Sequence, residues 1–141
     1  MVRFAGYAAV FDRPDSSGDI VRRGAFARAV AGGAAGVPLL WQHRPEVPIG
    51  RIEHLSEDAR GLRVIGQLSE RSMAAREAAA MLADGAVSGL SFGYRVRGAK
   101  DGARRELTDL DLVEVSLVTM PMQPLARVHA VDEGRNEEEK N

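Results

Sequence analysis

The sequence predicts a mainly β domain of the α+β class, a β barrel or sandwich flanked by a few helices, and three observations lead there. Short runs rich in strand-forming residues recur along the chain between clusters of Gly, Pro, Asp and Ser. Only two stretches switch to the three-to-four-residue spacing of a helix with one buried face. The regular alternation of strand and helix that a doubly wound parallel sheet needs is missing, and the chain contains no internal repeat.

Residues 3–11 form the first expected strand, and Asp12-Arg13-Pro14-Asp15-Ser16-Ser17-Gly18-Asp19 supplies the loop after it. Residues 24–30 put Phe26, Ala29 and Val30 on one face of a short helix that Gly32 and Gly33 stop. The run Gly32-Gly33-Ala34-Ala35-Gly36 lacks the lysine and spacing of a phosphate-cradling loop, so it reads as a flexible connector. Residues 37–42 read as a buried strand through Leu39, Leu40 and Trp41, ending where Pro45 and Pro48 forbid ordinary ladder pairing. Residues 51–55 and 62–68 predict a hairpin across the polar connection Ser56-Glu57-Asp58-Ala59-Arg60-Gly61.

Residues 70–84 predict the second helix, with Ala74, Ala78, Met81 and Leu82 facing inward, Ser69 or Ser72 as N-cap and Gly85 beyond the last turn. Residues 89–97 and 104–107 predict another hairpin around Gly98-Ala99-Lys100-Asp101-Gly102. Residues 112–119 are the last long strand, closed by Pro121 and Pro124, and a brief segment follows at Arg127-Val128-His129. The organised domain is expected to span residues 1–130, with residues 131–141 an acidic, disordered tail.

Composition narrows the function classes. At 141 residues, 45% hydrophobic and 28% charged, the chain is one soluble globular domain's worth. A formal net charge of -1 argues against nucleic acid as a partner, because phosphate binding calls for a basic excess. The absence of cysteine excludes disulfides, thiolate metal sites and a cysteine nucleophile. The N-terminus lacks the pattern of a signal peptide and no stretch is long enough to cross a bilayer, so a cytoplasmic setting without a membrane partner is expected.

The chemistry-bearing pattern lies in residues 88–97. Strand alternation puts Leu90, Phe92, Tyr94 and Val96 on the core face and Gly89, Ser91, Gly93 and Arg95 on the other. The Ser91 hydroxyl thus stands between two residues without side chains, where a substrate backbone could approach closely. Ser88 falls on the apolar face and is the poorer nucleophile. By local pattern alone, a serine between glycines in a strand is more often structural.

A serine hydroxyl needs an adjacent base, and the chain offers three histidines. His43 leaves a buried strand just before a proline-rich loop, a position that can hold an imidazole at a cleft, although a histidine there can equally have no role. His54 reads as an ordinary exposed side chain, and His129 lies near the tail. For the group that orients the base, Glu114 shares the polar face of its strand with Ser116, while Val113, Val115 and Leu117 face the core. A solvated carboxylate is the common fate of such a residue. No cofactor or metal site is expected, since His43 and His54 come with no supporting ligand motif.

Three islands, Leu39-Leu40-Trp41-Gln42-His43, Ser88-Gly89-Leu90-Ser91-Phe92-Gly93-Tyr94 and Glu114-Val115-Ser116-Leu117-Val118-Thr119-Met120-Pro121, resemble the prohead proteases of tailed phages in order and wording. The opening Gly6-Tyr7-Ala8-Ala9-Val10-Phe11 and the stretch from Gly18-Asp19-Ile20-Val21 to Gly24-Ala25-Phe26 are similar to that family as well. The resemblance implies a herpesvirus-protease-like β barrel with nucleophile and base on neighbouring strands, His43 and Ser91 as the catalytic pair, and Glu114 as the third member, with His129 its rival on order. It implies a serine endopeptidase that cleaves the major capsid protein or a scaffold segment inside assembling procapsids, with a homodimer as a compatible assembly. Prophage and gene-transfer-agent particles are settings that suit it. Backbone amides near Ser91 and the basic turn at Arg104 and Arg105 are the candidate oxyanion donors. The alternative is a non-enzymatic capsid-assembly or scaffolding β domain of the same fold, in which Ser91 and His43 only pack.

Overall fold

A computed structural model describes residues 1–134. The strands are β1 (Arg3–Val10), β2 (Ile20–Val21), β3 (Pro38–Trp41), β4 (Arg44–Glu57), β5 (Gly61–Leu68), β6 (Gly89–Lys100), β7 (Glu106–Val118) and β8 (Val128–Asp132). Two helices, α1 (Ala27–Gly32) and α2 (Met73–Asp84), interrupt them. One sheet runs in the order β2-β7-β3-β4-β5-β1-β8, with β6 pairing β7 off that path. The mainly β class expected from the sequence is the class observed. The barrel is not a closed ladder: the run before β8 meets β6 through a single bridge, Gly89 with Arg127, helped by the Leu90 N–H donating to the Ala126 carbonyl at 2.9 Å.

The core is a continuous apolar layer in which Phe4, Phe26, Leu39, Ile49, Leu62, Leu90, Leu107, Leu110 and Leu117 are fully buried. Phe26 brings the start of α1 into that layer and meets Phe92 edge to face at 5.2 Å between ring centres. The approach to α1 is anchored by Glu57, whose two carboxylate oxygens accept the N–H groups of Gly24 and Phe26 at 2.8 Å each. α2 opens on Ser72, whose hydroxyl accepts the Ala75 N–H at 3.1 Å, and closes on Gly85 in the left-handed region at φ 84°. The helix starts three residues later than expected, its buried residues are Ala75, Ala78 and Leu82, and Ala74 lies on the flank.

Several strands differ in extent from expectation for physical reasons. β4 begins directly after His43 rather than at residue 51, and Pro45 and Pro48 are accommodated by an excursion: Trp41 pairs with Arg44 while Leu40 pairs with Pro48. Pro45 lies in the stretch that leaves the ladder, where a missing N–H costs nothing, and Pro48 stands opposite Leu40 at a register shift. β7 is one strand rather than two, and a bulge puts Val113 out of register, since Gly93 pairs with Glu114 but Tyr94 with Leu112. Val113 is therefore 41% exposed instead of facing the core, and Val96 is 41% exposed on a strand that outruns the apolar layer. β2 follows the expected loop, in a stretch for which the sequence predicted no element, and forms by two parallel pairs with β7. β8 pairs Val131 and Asp132 with Phe4 and Arg3, so the last strand extends past residue 130. The disorder expected for residues 135–141 lies outside the described residues. Among the described residues, no helix is long and apolar enough to cross a membrane.

Candidate active site

His43 owes its place to a two-residue turn. Trp41 pairs with Arg44 across the β3–β4 hairpin, leaving Gln42 and His43 as the loop, with φ of 52° and 61°. Positive φ at both central residues is the signature of the hairpin turn whose twist matches the flanking strands. Turns of this kind favour Asn-Gly, because a side chain in the left-handed region costs about 1–2 kcal/mol per residue. Here the strain is offset by hydrogen bonds to β7 and the segment after it. The Gln42 N–H donates to the Leu117 carbonyl at 2.9 Å, the Thr119 N–H donates to the Gln42 side-chain oxygen at 3.2 Å, and the His43 N–H donates to Ser116 Oγ at 3.1 Å.

Glu114 and Ser116 project from one face of β7. The Glu114 side chain is 9% exposed and lies against Gly93, directly opposite on β6, where a Cβ would come within 2.5 Å of Oε1. Its Oε1 is hydrogen-bonded to His43 Nδ1 and its Oε2 accepts the Ser116 hydroxyl at 2.6 Å. An ionised carboxylate can only accept, so Nδ1 carries the proton and Nε2 keeps the lone pair in the neutral ring. The hydrogen bond to Glu114, with the carboxylate's charge behind it, raises the His43 pKa above its ordinary 6.5, against the opposing pull of partial burial. The ring is 43% exposed, so one edge stays open to solvent.

Ser91 lies directly across β6–β7 from Ser116, and opposed residues in an antiparallel pair share a face. Ser91, Glu114, Ser116 and the His43 turn therefore meet on one side of the sheet, while Leu90, Phe92, Val115 and Leu117 fill the core on the other. Ser91 is 4% exposed as a residue. No hydrogen bond joins its Oγ to His43 among the described residues, and that oxygen keeps some contact with solvent. The base and the serine are not on neighbouring strands as expected: β7, which carries the carboxylate, lies between β3 and β6.

The remaining candidates lie elsewhere. His129 is exposed on β8, its ring 5.8 Å from that of Tyr7. His54 is exposed and pairs with Ser56 Oγ at 3.0 Å. Arg105 is held by Asp19 at 2.7 Å, and the turn carrying Arg104 and Arg105 sits at the far end of the β6–β7 hairpin. Ser91 pairs with Ser116 and Lys100 with Glu106, nine residues further along, which places that turn roughly 30 Å away along the strand and out of reach as an oxyanion donor. Ser88, partly buried, accepts a hydrogen bond from Arg127 at 3.2 Å. Among the described residues, no group of three or more metal-ligating side chains converges. Ser116 was on the polar face of its strand in the sequence, but its bond to the His43 turn joins residues 73 apart and left no local signal.

The family of caudovirus prohead serine proteases matches residues 1–141. The prohead protease of Enterobacteria phage HK97 is 36% identical over 135 residues, covering 91% of this chain and 59% of that protein. The chain thus spans well under two thirds of that relative's length. Among solved structures, KSHV protease in complex with a hexapeptide phosphonate inhibitor superposes with a TM-score of 0.60 at 15% identity, over 94% of this chain and 65% of that one. Varicella-zoster virus protease superposes at 0.59 and 16% identity, over 96% and 66%. At that identity, the likeness to the herpesvirus enzymes is one of fold.

Proposed function

The chain belongs to the caudovirus prohead serine protease family, and from that premise we propose that it is a serine endopeptidase acting on capsid or scaffold protein during prohead maturation. His43 Nε2 takes the proton of Ser91 as Oγ attacks the peptide carbonyl, and Glu114 holds the imidazole and balances its positive charge. Collapse of the tetrahedral adduct releases the amine, which takes its proton from His43, and water then cleaves the acyl-enzyme by the same route. The partners implied are the capsid or scaffold substrate and a second copy of the chain, in the cytoplasm of a host and inside the procapsid, with no part for nucleic acid or membrane.

The observation that carries this reading is the buried Glu114 carboxylate bonded to His43 Nδ1 on the face that also holds Ser91. A carboxylate on a mere polar strand face would be solvated. The missing hydrogen bond between Ser91 and His43 favours the alternative, a scaffolding domain of the same fold, although such contacts are often loose before substrate binds. Co-expression with the cognate capsid protein, read by mass spectrometry of that protein, separates the two. Cleavage by the wild-type chain and its loss in Ser91→Ala is expected; an intact capsid protein in both cases would leave the scaffolding reading.

A further inference from the structure

We propose that Ser116 is a positioning residue for the His43–Glu114 pair, its hydroxyl fixing at once the carboxylate and the turn that carries the imidazole. The inference rests on the proteolytic reading above and adds to it a residue that acts on the imidazole through the carboxylate and the turn.

The hydrogen bonds around Ser116 form a closed ring. Its Oγ accepts the His43 N–H at 3.1 Å and donates to Glu114 Oε2 at 2.6 Å, while Glu114 Oε1 returns to His43 Nδ1. A serine hydroxyl has one hydrogen to give. With the His43 N–H already pointing at the oxygen, that hydrogen goes to Oε2, and its 2.6 Å length is that of a charge-assisted bond to an ionised oxygen. The carboxylate is thereby held at both oxygens, so it cannot rotate away from Nδ1.

The same hydroxyl acts on the other partner through the main chain. His43 sits at φ 61°, a conformation a non-glycine residue leaves readily unless something holds it, and the bond from its N–H to Ser116 is one of the restraints. Ser116 is fully buried, so water does not take over its role. Alanine there would leave Glu114 Oε2 and the His43 N–H without their partner in a site 7% exposed at the glutamate. The carboxylate would turn to find another donor, and the imidazole would lose the neighbour that sets its tautomer and its affinity for protons.

The test is the pH titration of the His43 imidazole by nuclear magnetic resonance on the whole chain, assigned by its loss in His43→Gln, for wild type, Ser116→Ala and Ser116→Thr. Fluorophosphonate labelling of Ser91 is followed on the same samples across pH. In Ser116→Ala, the His43 midpoint should fall towards the ordinary imidazole value and the Nδ1 proton should lose its protection from exchange with water. Labelling should slow roughly 10–100-fold, as expected when a buried carboxylate loses a hydrogen-bond partner, with its pH midpoint moving down alongside. Threonine keeps the hydroxyl and should restore most of each. If alanine unfolds the chain, Ser116→Cys, close in size but a weak hydrogen-bonding group, takes its place. A folded Ser116→Ala or Ser116→Cys protein with an unchanged His43 titration would overturn the positioning role, whereas a wild-type chain that takes no label would sink the proteolytic reading alone.

Discussion

His43 holds its proton more tightly than a free imidazole because Glu114 accepts from Nδ1 and places a negative charge beside the ring. A base must be unprotonated, so Ser91-dependent cleavage should fall as pH drops, with its midpoint above the ordinary 6.5. Stability runs the other way. Because the folded state raises the pKa, the stabilisation contributed by the His43–Glu114 pair is fully present below the unfolded value and is lost as pH rises through the folded one. A cleavage rate and a melting curve measured over the same pH series should therefore show opposite trends from this group. Gly93 offers a second check: a Cβ there would lie 2.5 Å from Glu114 Oε1, so Gly93→Ala should displace the carboxylate and cut activity at least tenfold, about 1.4 kcal/mol of barrier, in a chain that still folds by circular dichroism. Strand parity and a family resemblance pointed in the sequence to Ser91 and Glu114, and the exit of a buried strand with the same resemblance pointed to His43, which the fold brings against Glu114. Ser116 was not legible there, because its importance lies in bonds to a turn that only the fold brings near.

Elements governed by local rules were read well, and those governed by pairing were not. The alanine-rich spacing and a serine cap mark α2; it starts three residues later than expected, and its inner face runs through Ala75, Ala78 and Leu82 rather than Ala74. Since Ser72 satisfies an otherwise orphaned N–H, Ser72→Ala should destabilise the chain by about 1 kcal/mol, measured by urea unfolding. Glu57 anchors the approach to α1, so Glu57→Ala, which leaves the part-buried Phe26 N–H without its charged partner while water takes up the exposed Gly24 N–H, should cost roughly 1–3 kcal/mol. The turn at Gln42 and His43 was illegible because it lacks the Asn-Gly signature, and contacts with Leu117, Thr119 and Ser116 hold it instead of intrinsic preference. The bulge at Val113 was hidden for a similar reason: which residue leaves a ladder depends on the partner strand, and alternation within one strand carries no trace of it.

At the scale of the whole molecule, the mainly β class followed from composition and periodicity, but strand order did not, because pairs such as Leu40 with Ser116 join segments far apart in sequence. That parallel pairing of β3 with β7 is what delivers His43 to Glu114, so the site depends on the global fold rather than on any one motif. The core should be correspondingly cooperative: Phe26→Ala removes a fully buried ring packed on Phe92 and should lower stability by about 3–5 kcal/mol in equilibrium unfolding. Activation of one serine by this fold is read most directly by intact-protein mass spectrometry after fluorophosphonate treatment, with the adduct mapped by peptide digestion. We expect a single adduct on Ser91, undiminished in Ser88→Ala, slowed in His43→Gln and Glu114→Gln, and absent in a folded Ser91→Ala protein. An unmodified wild-type chain, or an adduct that persists in Ser91→Ala, would contradict it.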